Sequence, residues 1–343
     1  VLMMYLTRHH IVKVNSDKAI EANNKVYIPM LSVIELSDLK VRSISKAGKI
    51  TMMDKKNVKE VENFENAGPF KIFAIEGIEN GSEVEYLYTC KKYSSFFGTE
   101  KLQSDEPRKN VEVVVVSPAN LVFDSKSYNK FPDLQKDTAI AGKNKIGARI
   151  DYIPGLKGEK YSSYNSSIMR VEYKLSYNKN KSMNKRLFSW NEAAERAFAT
   201  TAQFTSKERS KASSLLKDIK LENKMTNEEK IRKIESHVKT TFALKEEDGE
   251  DFSDLEKVIK NKYGNNKGFT RLFLALFSEA KIENQLVLTS DRMKTRFDGS
   301  FDTWNYLDEY LIYFPETDNY IAPTEPFSRY GFPPAEWRCE EGL

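Results

Sequence analysis

The hydrophobic period of this 343-residue chain changes partway along it, and that change limits the folds open to it. Up to about residue 185, apolar side chains tend to recur every second residue, the period of a strand with one buried face. After Trp190 they recur every third or fourth residue, the period of a helix with one buried stripe. Strands first and helices later predict two domains in series. The length agrees, because single cores rarely grow past ~250–300 residues.

Within the first part the clearest strands are Glu83–Tyr93 (EVEYLYTCKKY), 111–117 (VEVVVVS) and 167–177 (SIMRVEYKLSY), rich in β-branched and aromatic residues. Shorter alternating runs lie at 26–28 and 33–45. A turn over Lys46-Ala47-Gly48-Lys49 leads to Ile50-Thr51-Met52. Residues 1–185 therefore read as an antiparallel β-sandwich or barrel-like module. The polar, basic stretch 178–185 (NKNKSMNK) marks the boundary.

Beyond it, 192–204 and 207–221 read as helices. Thr226-Asn227-Glu228-Glu229 is a capping box, in which the Thr hydroxyl and the Glu three residues on satisfy each other's orphan amides. Ile231, Ile234, Val238 and Phe242 follow as one stripe. The segment 269–280 (FTRLFLALFSEA) is the most apolar helix, and strands follow at Gln285–Thr289 and 310–314, which makes an α+β domain over 186–330.

Composition excludes several classes. A hydrophobic share of 40%, with 20 Phe, 17 Tyr and 3 Trp, supplies a sizeable core and excludes wholesale disorder. No apolar run approaches the ~18 residues of a membrane helix, so no transmembrane segment is expected in this chain. The net charge of +4 comes from scattered lysines, not from the clustered face of a nucleic-acid binder. Two cysteines, Cys90 and Cys339, cannot build a disulfide framework, although one bridge between them stays open.

The stretch from Tyr263 to Thr324 carries a family pattern. Gly264-Asn265-Asn266-Lys267 enters the buried helix. After the hydrophobic strand come Phe301-Asp302-Thr303-Trp304-Asn305-Tyr306 and, beyond the next strand, Tyr320-Ile321-Ala322-Pro323-Thr324. In this order the segments resemble the transglutaminase-like cysteine hydrolases, which share the papain-like cysteine proteinase fold. Gly264, Asn305, Pro323 and Thr324 match that framework. The chemistry departs from it: Asn266 stands at the nucleophilic Cys position, Tyr306 at the His position and Ala322 at the Asp position. Forty residues separate 266 from 306 and sixteen separate 306 from 322, spacings that fit a hairpin returning to a helix tip.

The physics of the family site shows what these changes remove. A helix N-terminus lowers a thiol pKa and favours thiolate. A histidine then shuttles protons near neutral pH, while a carboxylate fixes its tautomer. An amide at 266 is no such nucleophile, a tyrosine with an ordinary pKa near ~10 is a poor base at pH 7, and alanine orients nothing. Catalytic residues are therefore assigned to none of these positions. Gly264, Trp304, Asn305 and Tyr306 are expected to line a cleft that has lost its triad.

Other candidates are weaker. Cys339 follows every matching segment, Cys90 sits in a strand, and His237 lies one step off the buried stripe. His9 and His10 look terminal and solvated, with a weak metal-binding capacity as an adjacent pair. The acidic loop Glu246, Glu247, Asp248, Glu250 and Asp251 has carboxylates for Ca²⁺ but lacks EF-hand spacing. The basic run at 179–186 has no glycine-rich phosphate loop and reads as a linker. No cofactor and no metal site are expected.

Residues 47–50, 75–88 and 151–161, with Phe188-Ser189-Trp190 at the join, resemble the β-rich domain of unknown function that precedes transglutaminase-like domains in bacterial secreted proteins. The segment 331–343 resembles the start of a further β module of that family, which would make the protein longer than this chain. The resemblance implies export to the periplasm or outer cell envelope. The expected function is a pseudoenzyme that binds or scaffolds peptide, protein or glycan. The alternative is an active hydrolase, cysteine-type or metal-assisted, and a third reading is a purely structural piece of an envelope protein.

Overall fold

The computed structural model describes residues 2–54, 58–64, 68–138, 140–182, 186–247 and 249–343. The chain divides into two compact units, one ending at Ser95 and one beginning at Phe96.

The first unit runs β1 (Met3–Lys13), α1 (Asp17–Asn23), β2 (Lys25–Pro29), β3 (Val33–Ile44), β4 (Ile50–Met52), β5 (Val58–Val61), β6 (Phe70–Ala74) and β7 (Glu83–Tyr93). Two antiparallel sheets form, in the orders β1-β7-β3-β4 and β2-β6-β5. Ile28 and Phe73 from one sheet meet Val41, Val84, Tyr88 and Cys90 from the other in a single buried cluster. The expected strand Glu83–Tyr93 is β7, bound for bound.

His9 and His10 lie in β1 and pair across to β7; His9 is exposed, as expected, whereas His10 is half-buried. His9 Nε2 is 2.8 Å from Glu85 Oε1, and His10 Nδ1 is 2.7 Å from the Tyr86 hydroxyl. Cys90 is buried, Cys339 is exposed, and both are free. The bridge left open between them does not form.

The second unit begins with strands. These are β8 (Phe97–Lys101), β9 (Arg108–Pro118), β10 (Leu121–Tyr128), β11 (Gln135–Asp137), β12 (Lys143–Ile153) and, after the turn α2 (Tyr164–Ser167), β13 (Arg170–Asn178). They form antiparallel sheets ordered β11-β12-β9 and β10-β13-β8. The basic stretch expected as a linker opens as a helical turn, α3 (Lys179–Ser182), and residues 183–185 lie outside the described residues.

Helices follow: α4 (Trp190–Thr201), α5 (Ser206–Ile219) and α6 (Asn227–Thr241). Next come β14 (Ala243–Leu244), α7 (Glu250–Ser253), α8 (Leu255–Asn261), β15 (Tyr263–Gly264) and α9 (Asn266–Glu279). The last elements are β16 (Gln285–Thr289), β17 (Glu309–Phe314) and β18 (Asn319–Ile321), an antiparallel sheet. The capping box forms as the sequence suggests, with Thr226 N donating to Glu229 Oε2 at 2.8 Å and Glu229 N donating to Thr226 Oγ1 at 3.2 Å. Helix α9 is buried almost all round, so its apolar residues need no polar face.

Part of the acidic loop is helical: Glu250 and Asp251 open α7, and Asp251 pairs with Lys257. Asp248 lies outside the described residues.

The expected division near 178–190 coincides with the change from strand to helix, whereas the compact units part at Ser95. Strand β13 explains the difference. All seven residues from Arg170 to Ser176 are buried, although every second one is polar. Val171 joins the apolar cluster of the preceding strands, with Leu102, Phe131 and Ile153. Arg170, Glu172, Lys174 and Ser176 alternate with the apolar positions and find polar partners. Arg170 Nε donates to Glu172 Oε1 at 2.9 Å, Ser176 Oγ donates to Asp124 Oδ2 at 2.6 Å, and Lys174 pairs with Asp302. Asp302 lies in the loop before β17, so a charge on the strand is satisfied only by the helical region. Buried charge without such a partner costs several kcal/mol, which binds the two regions together.

Candidate functional site

The positions singled out by the sequence lie on three elements. Asn265 caps α9: its Oδ1 accepts from Gly268 N at 3.0 Å, and its own N–H donates to Phe252 O at 3.0 Å. Asn266 is the first helical residue and is exposed. Gly264 and Gly268 admit the α7 backbone. A Cβ on Gly268 would meet Phe252 O at 2.2 Å, and one on Gly264 would meet it at 3.0 Å. Here glycine serves close backbone approach to the helix tip. Beside the tip, burial first and then Arg271 and Arg196 lower the Lys267 pKa.

Trp304, Asn305 and Tyr306 form one 3₁₀ turn, set by Thr303, whose Oγ1 accepts from Asn305 N at 3.3 Å. The turn is a seat for the strand sheet. The Asn305 amide donates to Thr99 Oγ1 of β8 at 3.1 Å. Trp304 packs edge-on against Phe188 at 6.1 Å between centroids, and the Arg196 guanidinium lies 5.7 Å from its ring centroid.

Tyr306 is fully buried. Its ring lies 5.4 Å from Phe297 and 6.5 Å from Trp190, and its hydroxyl is 2.7 Å from the Tyr128 hydroxyl of β10. Tyr128 in turn donates to Asp298 Oδ2 at 2.9 Å, and Lys126 completes that carboxylate. Burial first, then the Glu172 carboxylate, pushes the Tyr306 hydroxyl far above its ordinary pKa. Burial likewise raises Tyr128. Hydrogen bonds from Lys126, Ser300 and Tyr128 outweigh burial at Asp298 and bring its pKa down to about 2. At neutral pH this is a chain of two neutral phenols ending on a paired carboxylate.

Ala322 is fully buried and packs with Leu311 and Trp337. Among the described residues, no hydrogen bond, ion pair or ring contact joins Asn266 to Tyr306, or either of them to Ala322. The remaining candidates are isolated. His237 is half-buried on α6, and its pKa is lowered by burial first and then by Lys262. Burial raises the Cys90 thiol. Among the described residues, no group of three or more His, Cys, Asp or Glu side chains is placed to hold a metal ion. No helix among them is long and apolar enough to cross a membrane.

Sequence reasoning overlooked the partners of this turn. Tyr128, Lys126, Asp298 and Lys174 match no motif; Tyr128, Lys126 and Lys174 lie on the adjacent strands β10 and β13, and Asp298 reaches Tyr128 and Lys126 from the loop before the turn. The one available signal was the alternation of charged and apolar residues within 167–177, which also fits a solvated face.

The fold and turn define a class: a β-rich chain of several antiparallel sheets, followed by an α+β region with a protease-like structural neighbour. A family model described as a domain of unknown function with solved structure, DUF3857, matches residues 3–147. A crystal structure from Parabacteroides distasonis, described as a "putative protease", superimposes with a TM-score of 0.66 at 14% sequence identity. The match covers 93% of this chain and 64% of that one, so the chain spans about two-thirds of its neighbour's length. No curated protein sequence matches the chain.

Proposed function

We propose that this is a catalytically inactive protein of transglutaminase-like, papain-like architecture that binds or scaffolds peptide, protein or glycan. On this reading residues 186–330 are the transglutaminase-like domain, and the DUF3857-type strands precede it. Its place would be the periplasm or outer cell envelope. The carrying observation is Tyr306: at the position the resemblance gives to the general base stands a fully buried phenol, hydrogen-bonded to Tyr128. A phenol with a strongly raised pKa already holds its proton at pH 7 and cannot accept another, and a sealed one does not meet substrate. An exposed amide at Asn266 and a methyl group at Ala322 agree with that reading.

The test is an assay of the purified protein for peptidase, amidase and amide-transfer activity, with a thiol-directed covalent probe run in parallel. No turnover, and labelling at Cys339 at the pace of an ordinary exposed thiol, is the expected outcome. Turnover abolished by Cys90→Ala or Cys339→Ala would overturn the proposal in favour of an active hydrolase.

A further inference from the structure

An arginine joins helices α4 and α9. Arg271 of α9 donates to Thr200 O at 3.0 Å and to Gln203 O at 3.3 Å, at the C-terminal end of α4, and Glu208 meets its charge. Lys267 lies four residues before Arg271 on α9, and Arg196 lies four residues before Thr200 on α4. Each therefore sits one turn back from the junction. The Arg196 guanidinium stands 5.7 Å from the centroid of the Trp304 ring. Among the described residues, neither Lys267 nor Arg196 has an ion pair or a side-chain hydrogen bond.

This arrangement costs stability as it stands. Like charges one turn apart on a helix repel, and Lys267 is half-buried, so its ammonium has given up part of its water. Burial first, then Arg271 and Arg196, lower its pKa. Glu208 offsets one of the three cations and leaves two without a counter-charge. A local rule broken with no compensation inside the fold points to a function. Arg196 is exposed, and resting on Trp304 orients its guanidinium fork and lowers the entropy cost of engaging a ligand.

We propose that Lys267 and Arg196 form a subsite for the carboxylate of an acidic peptide. Charge complementarity and donor chemistry select that occupant. Both side chains supply donors and no acceptor, whereas the hydroxyls of a glycan need acceptors as well. A carboxylate accepts from the guanidinium fork with one oxygen pair and from the ammonium beside it, and both interactions are charge-assisted. Trp304 and the exposed Asn266 adjoin the two cations, so the flanking peptide meets an aromatic ring and an amide. This subsite presupposes the binding role proposed above and stands whether or not the protein is inert.

The test is a calorimetric titration of the whole chain with a capped eight-residue peptide of alternating glutamate and serine, against its glutamine counterpart. The glutamate peptide should bind saturably and at least about tenfold more tightly, and added salt should weaken it. Lys267→Met and Arg196→Gln should each weaken binding by about fivefold or more. Lys267→Met should also raise the thermal midpoint by about 1 °C or more, because it removes an uncompensated charge that a purely structural lysine would not be. No saturable binding at millimolar peptide would overturn the proposal. So would equal affinity for the two peptides, unchanged affinity in both variants, or a lowered midpoint in Lys267→Met. Cleavage of the bound peptide would overturn the inactivity proposed above and, with affinity still lost in both variants, would support the subsite.

Discussion

Glu83 and Glu85 on β7, and Arg170, Glu172 and Lys174 on β13, are both rows of charge at alternate strand positions, but their burial differs. On β7, the Glu83 and Glu85 side chains are 39% and 16% exposed, and Glu85 sits between the more exposed His9 and Arg42. On β13, the Lys174 and Glu172 side chains are 0% exposed. The β7 row lies at a partly exposed face, where its partners reach water and salt screens the pairs. The β13 row has no water to return to, so each charge is held by a specific partner, and one of those partners belongs to the helical region. The same alternation therefore gives a tolerant face in the first unit and a cohesive seam in the second.

Removing one member of each row breaks the comparison most directly. Arg170→Met leaves Glu172 buried without its ion partner and should cost ~3–5 kcal/mol in urea denaturation of the second unit. A loss below about 1 kcal/mol would place β13 with the surface row. Acid is the next largest effect. Asp298 has a folded pKa of about 2 against an ordinary value of 3.8, so its contribution is present above pH ~4. It is lost as pH falls from 3.8 towards 2, and thermal melts of Asp298→Asn should lack that acid limb. Tyr306→Phe removes one hydroxyl of the buried chain while Tyr128 keeps Asp298, and should cost ~1 kcal/mol by the same denaturation. Glu85→Gln is the smallest, under about 1 kcal/mol, and its effect should shrink in high salt.

Much of the secondary structure was legible because it follows local rules. Strand β7, strand β16 and the Thr226 cap fall where alternation and capping chemistry put them. The buried helix α9 begins three residues earlier than its apolar run, because the Asn265 cap and the close-packed Gly268 supply its first turn. Strand β1 was missed because its exposed positions, Met3, Tyr5 and Ile11, blur the alternation. The candidate site was legible only as a set of positions. That Asn305 and Tyr306 bond to β8 and β10 depends on contacts some 200 residues apart in sequence, which no local pattern encodes. The division at Ser95 was hidden for the same reason: period reports burial of a face, not what covers it.

The account turns on residues 96–343 being one cooperative unit, with the turn at 304–306 spent on joining strands to helices. Trp190, Trp304 and Trp337 all lie in the helical region, so tryptophan fluorescence reports that region alone, while amide exchange in β12 and β13 reports the strands. Followed together through urea unfolding, the two signals should share one midpoint and one slope. Two separate transitions, parted at residues 178–190, would contradict it.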